Sequence, residues 1–294
     1  MNKQIKADLA LLLVTVGWGA SFILTKNALA DLPTFNFLAI RFLLAFALGL
    51  AMFAGRLKTL NRKTLVSSGI VGTVLFLGYA LQTIGLHHTT TSKSAFITGF
   101  SVVLVPLITA LFLKKRPEAQ AAAGSVMALV GLGLLTLDGS FTINLGDLLT
   151  LIASIAFALH IISVGHFTAG CDSLMLGVFQ IGVVGFWSLL TSLFFESPVI
   201  PPAGTVWVNI LLLSVFCTAG AFIVQSVAQQ YTTATHTALI YSGEPVFAAL
   251  FGYVMIGEVL SRQGLVGAAL ILGGMLAAEL DFKALLGRKA RSAA

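Results

Sequence analysis

Long stretches of apolar residues, separated by short clusters of charged residues, proline or glycine, run through the whole chain. Most stretches are close to the about 20 residues that a helix needs to cross about 30 Å of membrane hydrocarbon. They lack the alternation over about ten residues that is typical of a membrane β-barrel strand. The pattern therefore predicts ten spanning helices: Leu9–Thr25, Phe35–Ala54, Leu65–Leu86, Ala95–Leu113, Ala119–Leu137, Leu145–Gly165, Leu174–Phe195, Val206–Ala228, Ala234–Ile256 and Leu265–Leu280.

The composition agrees with a membrane protein. Of the 294 residues, 57% are hydrophobic and only 10% are charged, and the mean hydropathy is +0.99. A soluble domain carries about 25% charged residues, so this chain cannot cover a soluble surface. The predicted class is an all-α integral membrane protein. The two cysteines, Cys171 and Cys217, are too few for a disulfide framework.

The positive charges predict the orientation of the helices. If the N-terminus lies in the cytoplasm, only Lys26, Lys93 and Arg262 fall on the outside. Since cytoplasmic loops are enriched in Lys and Arg, both termini are predicted to be cytoplasmic. The net charge of +6 is then explained by basic loops and tails that orient the helices in the membrane, and no nucleic-acid partner is expected. The cytoplasmic set is Lys3, Lys6, Arg56, Lys58, Arg62, Lys63, Lys114, Lys115, Arg116, Lys283, Arg288, Lys289 and Arg291.

The two halves of the chain match each other. Polar and small residues recur at an offset of 143, and near the start of each half the offset is 139. Chance similarity between apolar helices is the alternative, but most matched positions are Gln, Thr and Gly. Residues 1–142 and 143–294 are thus predicted to be two five-helix repeats, which an odd number of spans places in inverted orientations. The matches include Gln82 with Gln225, Thr89 with Thr232, Gly131 with Gly274, Asp8 with Asp147, Trp18 with Phe157, Ser21 with His160 and Arg41 with Gln180.

Three segments carry a family resemblance: Gly17–Phe22, Thr89–Gly99, and Glu244–Gly252 followed by Gly257–Glu258. In these segments the chain resembles EamA-type transporters of the drug/metabolite transporter superfamily. The resemblance implies a ten-helix carrier of a bacterial-type cytoplasmic (inner) membrane, with a central cavity, of a kind that commonly exports amino acids or other small metabolites. One feature departs from the family, because Lys115-Arg116-Pro117 stands where members often have a Gly-Glu-Arg-like turn.

Ionisable residues within spans are costly, so each is a functional hypothesis. Glu244, near the middle of the ninth span, is a candidate for proton coupling or for binding an amine, with a structural ion pair or a neutral hydrogen-bonded carboxyl as the alternative. Arg41, in the second span, is a candidate for binding a substrate carboxylate, for pairing with Glu244 or another carboxylate, or for extending to the membrane surface. His160, in the sixth span, is a candidate for proton coupling, with a neutral hydrogen-bonded packing role as the alternative.

Prolines and uncharged polar residues complete the predicted site. Pro106 and Pro245 are predicted to break the fourth and ninth spans, and paired breaks are typical of transporter binding sites. Glycines in the fifth and tenth spans, such as Gly131 and Gly274, predict close helix packing, with a dimer contact as the alternative. The predicted cavity set is Trp18, Ser21, Arg41, Tyr79, Gln82, Thr98, Ser101, Gln180, Gln225, Tyr241, Ser242 and Glu244.

These features together favour a secondary carrier of a small organic solute, most simply an exporter that uses alternating access. Protons are a candidate coupled partner, and the chain is expected to be a monomer or homodimer. A lipid scramblase or flippase and a passive channel are the alternatives. No Walker motif, His-Glu-x2-His or Gly-x-Ser-x-Gly occurs, so no ATPase, enzyme, cofactor or metal site is expected.

Overall fold

Helices form every regular element in the part of the chain that the computed structural model describes, residues 3–112, 119–136, 144–202 and 204–279. The predicted boundary between residues 142 and 143 lies outside these ranges, as do Lys114–Arg116 and the basic C-terminal residues. A 3-10 helix, Ala54–Thr59, follows α2, and a π-helical segment, Leu213–Gly220, joins α9 to α10. The α-helices are α1 Lys3–Ala28, α2 Thr34–Met52, α3 Arg62–Leu86, α4 Thr91–Gly99, α5 Ser101–Phe112, α6 Ala119–Thr136, α7 Leu145–Thr168, α8 Ser173–Phe195, α9 Thr205–Leu212, α10 Ala221–Ala228, α11 Ala234–Tyr241, α12 Glu244–Ile256 and α13 Arg262–Glu279.

Eight segments of the described residues are long and apolar enough to cross a membrane. They coincide with eight of the stretches predicted from the sequence, although most of them extend beyond the predicted ends. The two other predicted spans correspond to α6 and α13, so the count of ten stays a prediction. The eight segments are Lys3–Ala28, Thr34–Met52, Arg62–Leu86, Thr91–Phe112, Leu145–Thr168, Ser173–Phe195, Thr205–Ala228 and Ala234–Ile256.

The fourth and ninth predicted spans are each interrupted. The first break lies at Phe100, between α4 and α5, and the second lies at Ser242–Gly243, between α11 and α12. Pro245 stands in the first turn of α12, where a missing N–H costs nothing. Pro106 lies inside α5, so the prediction that Pro106 marks the first break was wrong. A proline removes only one helical hydrogen bond, which the helix can absorb by bending.

Two carboxylates hold the N-terminal ends of helices. Glu196 accepts hydrogen bonds from the amides of Phe35 (2.9 Å) and Asn36 (2.8 Å) at the start of α2. Glu258, which follows α12, accepts hydrogen bonds from the amide of Ser92 (3.0 Å) and the hydroxyl of Thr91 in α4. Burial raises the pKa of Glu258, but hydrogen bonds from Thr91, Thr90 and Ser92 outweigh it and hold the pKa below its usual value. A negative charge there also stabilises the helix N-terminus.

Helices α6 and α13 pack backbone to backbone. A Cβ added to Gly131 would stand 2.5 Å from the carbonyl oxygen of Gly267, and one added to Gly274 would stand 2.5 Å from that of Gly124. Gly133 has open space beside it. The glycines predicted to allow close packing therefore do so at Gly131 and Gly274, which are equivalent positions of the two halves.

Candidate solute cavity

A cavity with an empty volume of about 560 Å³ lies between the helices of the two halves. Its walls come from α1, α3, α4 and α5 of the first half and from α7, α10, α11 and α12 of the second. Aromatic rings supply much of the wall, and hydroxyl, amide, imidazole and carboxyl groups interrupt it. The lining residues are Trp18, Ser21, Phe22, Leu75, Tyr79, Gln82, Thr98, Gly99, Ser101, Val102, Phe157, His160, Ile161, Phe222, Gln225, Tyr241 and Glu244.

Most of the lining residues form pairs under the two offsets found in the sequence. The exceptions are Leu75, Gly99 and Val102, because the residues at the equivalent positions of the other half do not line the cavity. Equivalent positions of the two halves thus face one common space. The pairs are Trp18 with Phe157, Ser21 with His160, Phe22 with Ile161, Tyr79 with Phe222, Gln82 with Gln225, Thr98 with Tyr241, and Ser101 with Glu244.

The structure brings together most of the residues that the sequence predicted for the site. Arg41 lines a smaller adjoining cavity, which shares Ser21, Phe22, Tyr79 and Gln82 with the larger one. Gln180 lies behind His160, and Ser242 lies in the break between α11 and α12 without lining either cavity. Those that line the larger cavity are Trp18, Ser21, Tyr79, Gln82, Thr98, Ser101, His160, Gln225, Tyr241 and Glu244.

An aromatic cluster around Trp18 forms one wall. The ring of Trp18 lies 5.3 Å from that of Phe222 and 4.9 Å from that of Tyr241, measured between centroids. Its indole N–H donates a hydrogen bond of 3.0 Å to the carbonyl oxygen of Cys217. Cys217 belongs to the π-helical segment, and such segments are frequent at functional sites. The segment therefore helps to fix the orientation of the Trp18 ring at the cavity.

His160 belongs to a buried hydrogen-bond network. Its Nε2 lies 2.8 Å from Oε1 of Gln180, and Nε2 of Gln180 donates to the hydroxyl of Ser226 at 2.9 Å. The Ser226 hydroxyl donates to the carbonyl of Phe222, so it accepts from Gln180. Oε1 of Gln180 can only accept a hydrogen bond, so Nε2 of His160 is assigned as the ring nitrogen that carries the hydrogen. This geometry favours a neutral, hydrogen-bonded packing role for His160 over proton coupling.

The two equivalent glutamines make different contacts. Gln82 donates to the hydroxyl of Thr98 at 2.8 Å, whereas Gln225 donates to Oε1 of Gln229 at 3.0 Å. The side-chain carbonyl of Gln225 and the hydroxyl of Tyr241 are buried and have no hydrogen-bond partner in the structure. Buried polar atoms without partners are costly, so these two lining residues are suited to contact a bound solute or water.

Arg41 is almost completely buried, with 1% of its surface exposed. Its Nε donates to the hydroxyl of Thr218 at 2.8 Å, and Nη1 makes a long contact of 3.5 Å with Thr25. The guanidinium carbon lies 5.2 Å from the ring centroid of Tyr79 and 5.3 Å from that of Phe42. Within the described part of the chain, its Nη2 is buried without a hydrogen-bond partner, and no carboxylate pairs with the guanidinium. A buried guanidinium in such surroundings is well suited to bind an anionic group.

Glu244 begins α12 directly after the break and lines the larger cavity. Among the described residues it has neither a hydrogen bond nor an ion pair, and it does not pair with Arg41. Glu244 is partly buried at the cavity wall, so water or a solute in the cavity can contact it. Glu244 and Arg41 are therefore separate polar groups beside connected spaces, not a structural ion pair.

Several residues of the site were not predicted from the sequence. The apolar lining residues Phe22, Leu75 and Phe157 give no chemical signal of their own, although Phe157 is the repeat equivalent of Trp18. Thr218 fixes Arg41 only because the π-helical segment turns it inward. No three His, Cys, Asp or Glu side chains in the described ranges come together in a way that could hold a metal ion.

The comparisons with known proteins agree with this architecture. A sequence model of the EamA-like transporter family matches the chain twice, at residues 5–137 and 144–278. An uncharacterized transporter of Archaeoglobus fulgidus is 33% identical over 95% of this chain and 87% of its own length. The uncharacterized transporter YyaM of Bacillus subtilis is 26% identical over 94% of each chain.

The crystal structure of another protein shares the fold. Its TM-score is 0.70 at 21% sequence identity, and the match covers 97% of this chain and 98% of the other. The eight spanning segments, the cavity between the halves and the family match lead to one identification. The chain is a multi-pass membrane protein that belongs to the EamA-like transporter family.

Proposed function

We propose that the protein is a secondary carrier, with export as its direction, for a small organic metabolite that bears a carboxylate and an amine, such as an amino acid. The cavity between the halves carries the proposal, because it combines aromatic walls with few polar groups. The buried guanidinium of Arg41 would bind the carboxylate, and Glu244 would bind the amine or a coupled proton.

The placement of the two charges within the repeat supports a functional role for both. The repeat equivalent of Glu244 is Ser101, and that of Arg41 is Gln180. Ser101 and Gln180 are buried neutral residues, so the corresponding position in the other half packs with an uncharged side chain in both cases. The charges therefore occur where the halves differ, which agrees with a role in binding a solute.

Alternating access would arise from movement of one half against the other, with the solute held between them. The seven equivalent pairs around the cavity support this mechanism, since each half contributes a similar wall. The paired breaks at Phe100 and Ser242–Gly243 would allow the segments that carry Ser101 and Glu244 to change direction.

The test is transport by the purified protein in liposomes, with candidate amino acids in a counterflow assay. The wild type should exchange at least one of them saturably and should accumulate it when a pH gradient is applied. Glu244→Gln should abolish the pH-driven accumulation and retain counterflow, because the neutral amide cannot release a proton.

Asp31→Asn, a change at an exposed acid, is the matched control and should behave like the wild type. Unchanged pH-driven accumulation by Glu244→Gln would refute the coupling role. Translocation of lipid probes without any solute specificity would instead identify a scramblase, and unsaturable flux would identify a channel.

A further inference from the structure

A second cavity, separate from the candidate solute cavity, lies between the start of α1 and the end of α10. We call it the α1–α10 groove, and its empty volume is about 840 Å³. We propose that this groove binds an anionic phospholipid, with the headgroup phosphate at Lys3 and Lys6 and an acyl chain along the apolar floor. The lining residues are Lys3, Lys6, Ala7, Ala10, Ile223, Val224, Val227, Ala228 and Tyr231.

The order of these residues along the two helices matches the order of groups in a phospholipid. Lys3 and Lys6 lie in the first turns of α1, and Tyr231 follows the end of α10, so the polar groups share one end of the groove. Ala10 and Ile223 lie toward the other end. At a rise of about 1.5 Å per residue, Ala10 is about 10 Å deeper than Lys3. A phosphate at the lysines therefore places the acyl chain beside small and aliphatic side chains.

The two ammonium groups are available to an anion. Neither Lys3 nor Lys6 has a carboxylate within ion-pair distance in the described part of the chain. Lys3 Nζ lies 5.6 Å from the ring centroid of Tyr231, and both lysines are exposed. The neighbouring acid Asp8 is directed to His236, with 3.3 Å between Oδ1 and Nε2. Basic residues at the predicted cytoplasmic ends of spanning helices favour anionic headgroups over zwitterionic ones.

The equivalent site in the other half is closed, and this explains why a groove exists here. The repeat equivalents of Ala7 and Ala228 are Gly146 and Gly85. A Cβ added to Gly146 would stand 2.5 Å from the carbonyl oxygen of Gly85, so α3 and α7 touch through their backbones. Alanine side chains at both positions keep α1 and α10 farther apart.

The groove lies where the two halves meet, since α1 belongs to the first and α10 to the second. Helix α10 separates it from the candidate solute cavity, because Gln225 faces the cavity while Val224 and Val227 face the groove. A lipid here would stabilise the arrangement in which the groove is open. This effect on transport depends on the proposed function, but the binding itself does not.

The binding is tested on the purified full-length protein by native mass spectrometry in detergent. Phosphatidylglycerol and phosphatidylcholine with identical acyl chains are the probes. We expect phosphatidylglycerol to bind about tenfold or more tightly than phosphatidylcholine, as two lysines at a membrane surface predict. The double variant Lys3→Gln/Lys6→Gln should lose this preference, whereas Lys58→Gln, an exposed lysine on the same predicted face, should keep it.

A second variant tests the acyl-chain part of the site. Val227→Trp should fill the groove and weaken the binding of phosphatidylglycerol several-fold while both lysines remain; an unchanged melting temperature would show that it folds. Equal affinity for the two lipids, or full preference in Lys3→Gln/Lys6→Gln, would overturn the proposal. Competition by glycerol phosphate as effective as that by the lipid would also overturn it, because the site would then bind a free phosphate. No transport assay is needed, so failure here is distinct from failure of the proposed carrier function.

Discussion

At the scale of single residues, Arg41 shows how the surroundings of a side chain decide its role. Three roles are compatible with an arginine in a span: extension to the membrane surface, an ion pair, or binding of an anion. The structure removes the first, since the side chain is buried, and the pair with Glu244 is absent. The proposed role in anion binding would supply an acceptor for Nη2, which has no hydrogen-bond partner among the described residues.

Arg41→Gln should therefore weaken the affinity for a carboxylate-bearing solute about tenfold or more, since charge-assisted hydrogen bonds contribute about 1.5–3 kcal/mol. Glutamine is the residue at the equivalent position, so the fold should be retained. The measurement is inhibition of counterflow by the solute and by its uncharged carboxamide analogue. The wild type should prefer the acid, and Arg41→Gln should lose that preference.

Arg56→Gln is the matched control, because Arg56 pairs with Asp172 at the surface, 3.4 Å away, and lines neither of the cavities that Arg41 and Glu244 line. Its preference for the acid should equal that of the wild type. An Arg41→Gln protein that still distinguishes the acid from the carboxamide would show that Arg41 does not bind the carboxylate.

At the scale of helices, the close pair α6 and α13 depends on particular glycines. Both glycines of the contact are needed for backbone approach, whereas the neighbouring Gly133 faces open space. Lipid is as apolar as the helix surfaces, so the hydrophobic effect does not hold two helices together within it. Small residues at such contacts allow the close van der Waals packing that does. Gly131 is therefore needed for close packing of α6 against α13, whereas Gly133 of the same helix is not.

Gly131→Ala should lower the melting temperature of the protein in detergent, because the added methyl group collides with the backbone of α13. Overpacking of this kind costs about 1–3 kcal/mol. Gly133→Ala, in the same helix, should leave the melting temperature unchanged or raise it slightly, since alanine favours a helix. Equal melting temperatures for the two variants would contradict the contact as described.

At the scale of the whole molecule, two aspartates at equivalent positions of the two halves make different contacts. Asp147 accepts a hydrogen bond of 2.6 Å from the hydroxyl of Thr89, at the predicted outer face. Its equivalent Asp8 lies at the predicted inner face, 3.3 Å from His236, without hydrogen-bond geometry. The outer contact is thus the tighter one, which agrees with the close contact between Gly85 and Gly146 near Asp147.

Asp147→Asn should favour opening toward the outer face, because it weakens the contact with Thr89. A cysteine introduced as Ser101→Cys, with Cys171 and Cys217 replaced by serine, would report on access to the cavity. A membrane-impermeant thiol reagent added from the outside should label it several-fold faster in the Asp147→Asn background.

Asp8→Asn provides the comparison within the repeat and should raise the labelling rate from the inside only. Asp31→Asn should change neither rate. Identical outside labelling with and without Asp147→Asn would show that this contact does not close the outer face.

Much of the site was predictable because the repeat is visible in the sequence. Gln82 and Gln225 match as residues, so their common cavity follows once the two halves are aligned. Gln180 was placed in the cavity for the same reason, yet it lies behind His160, because side-chain hydrogen bonds turned it away. Pro106 was expected at a break that lies at Phe100 instead, since a proline bends a helix more readily than it ends one.

The sequence by itself determined the helical membrane class and most of the spanning segments. Membrane-spanning helices must satisfy their own backbone hydrogen bonds and bury a fixed length of apolar residues, and both conditions are local. Only the tertiary structure decided which faces of those helices meet. Among the described residues it left Arg41 without a carboxylate partner, placed Thr218 of the π-helical segment beside Arg41 and opened a groove between α1 and α10, because the rotation of each helix depends on its contacts with the others.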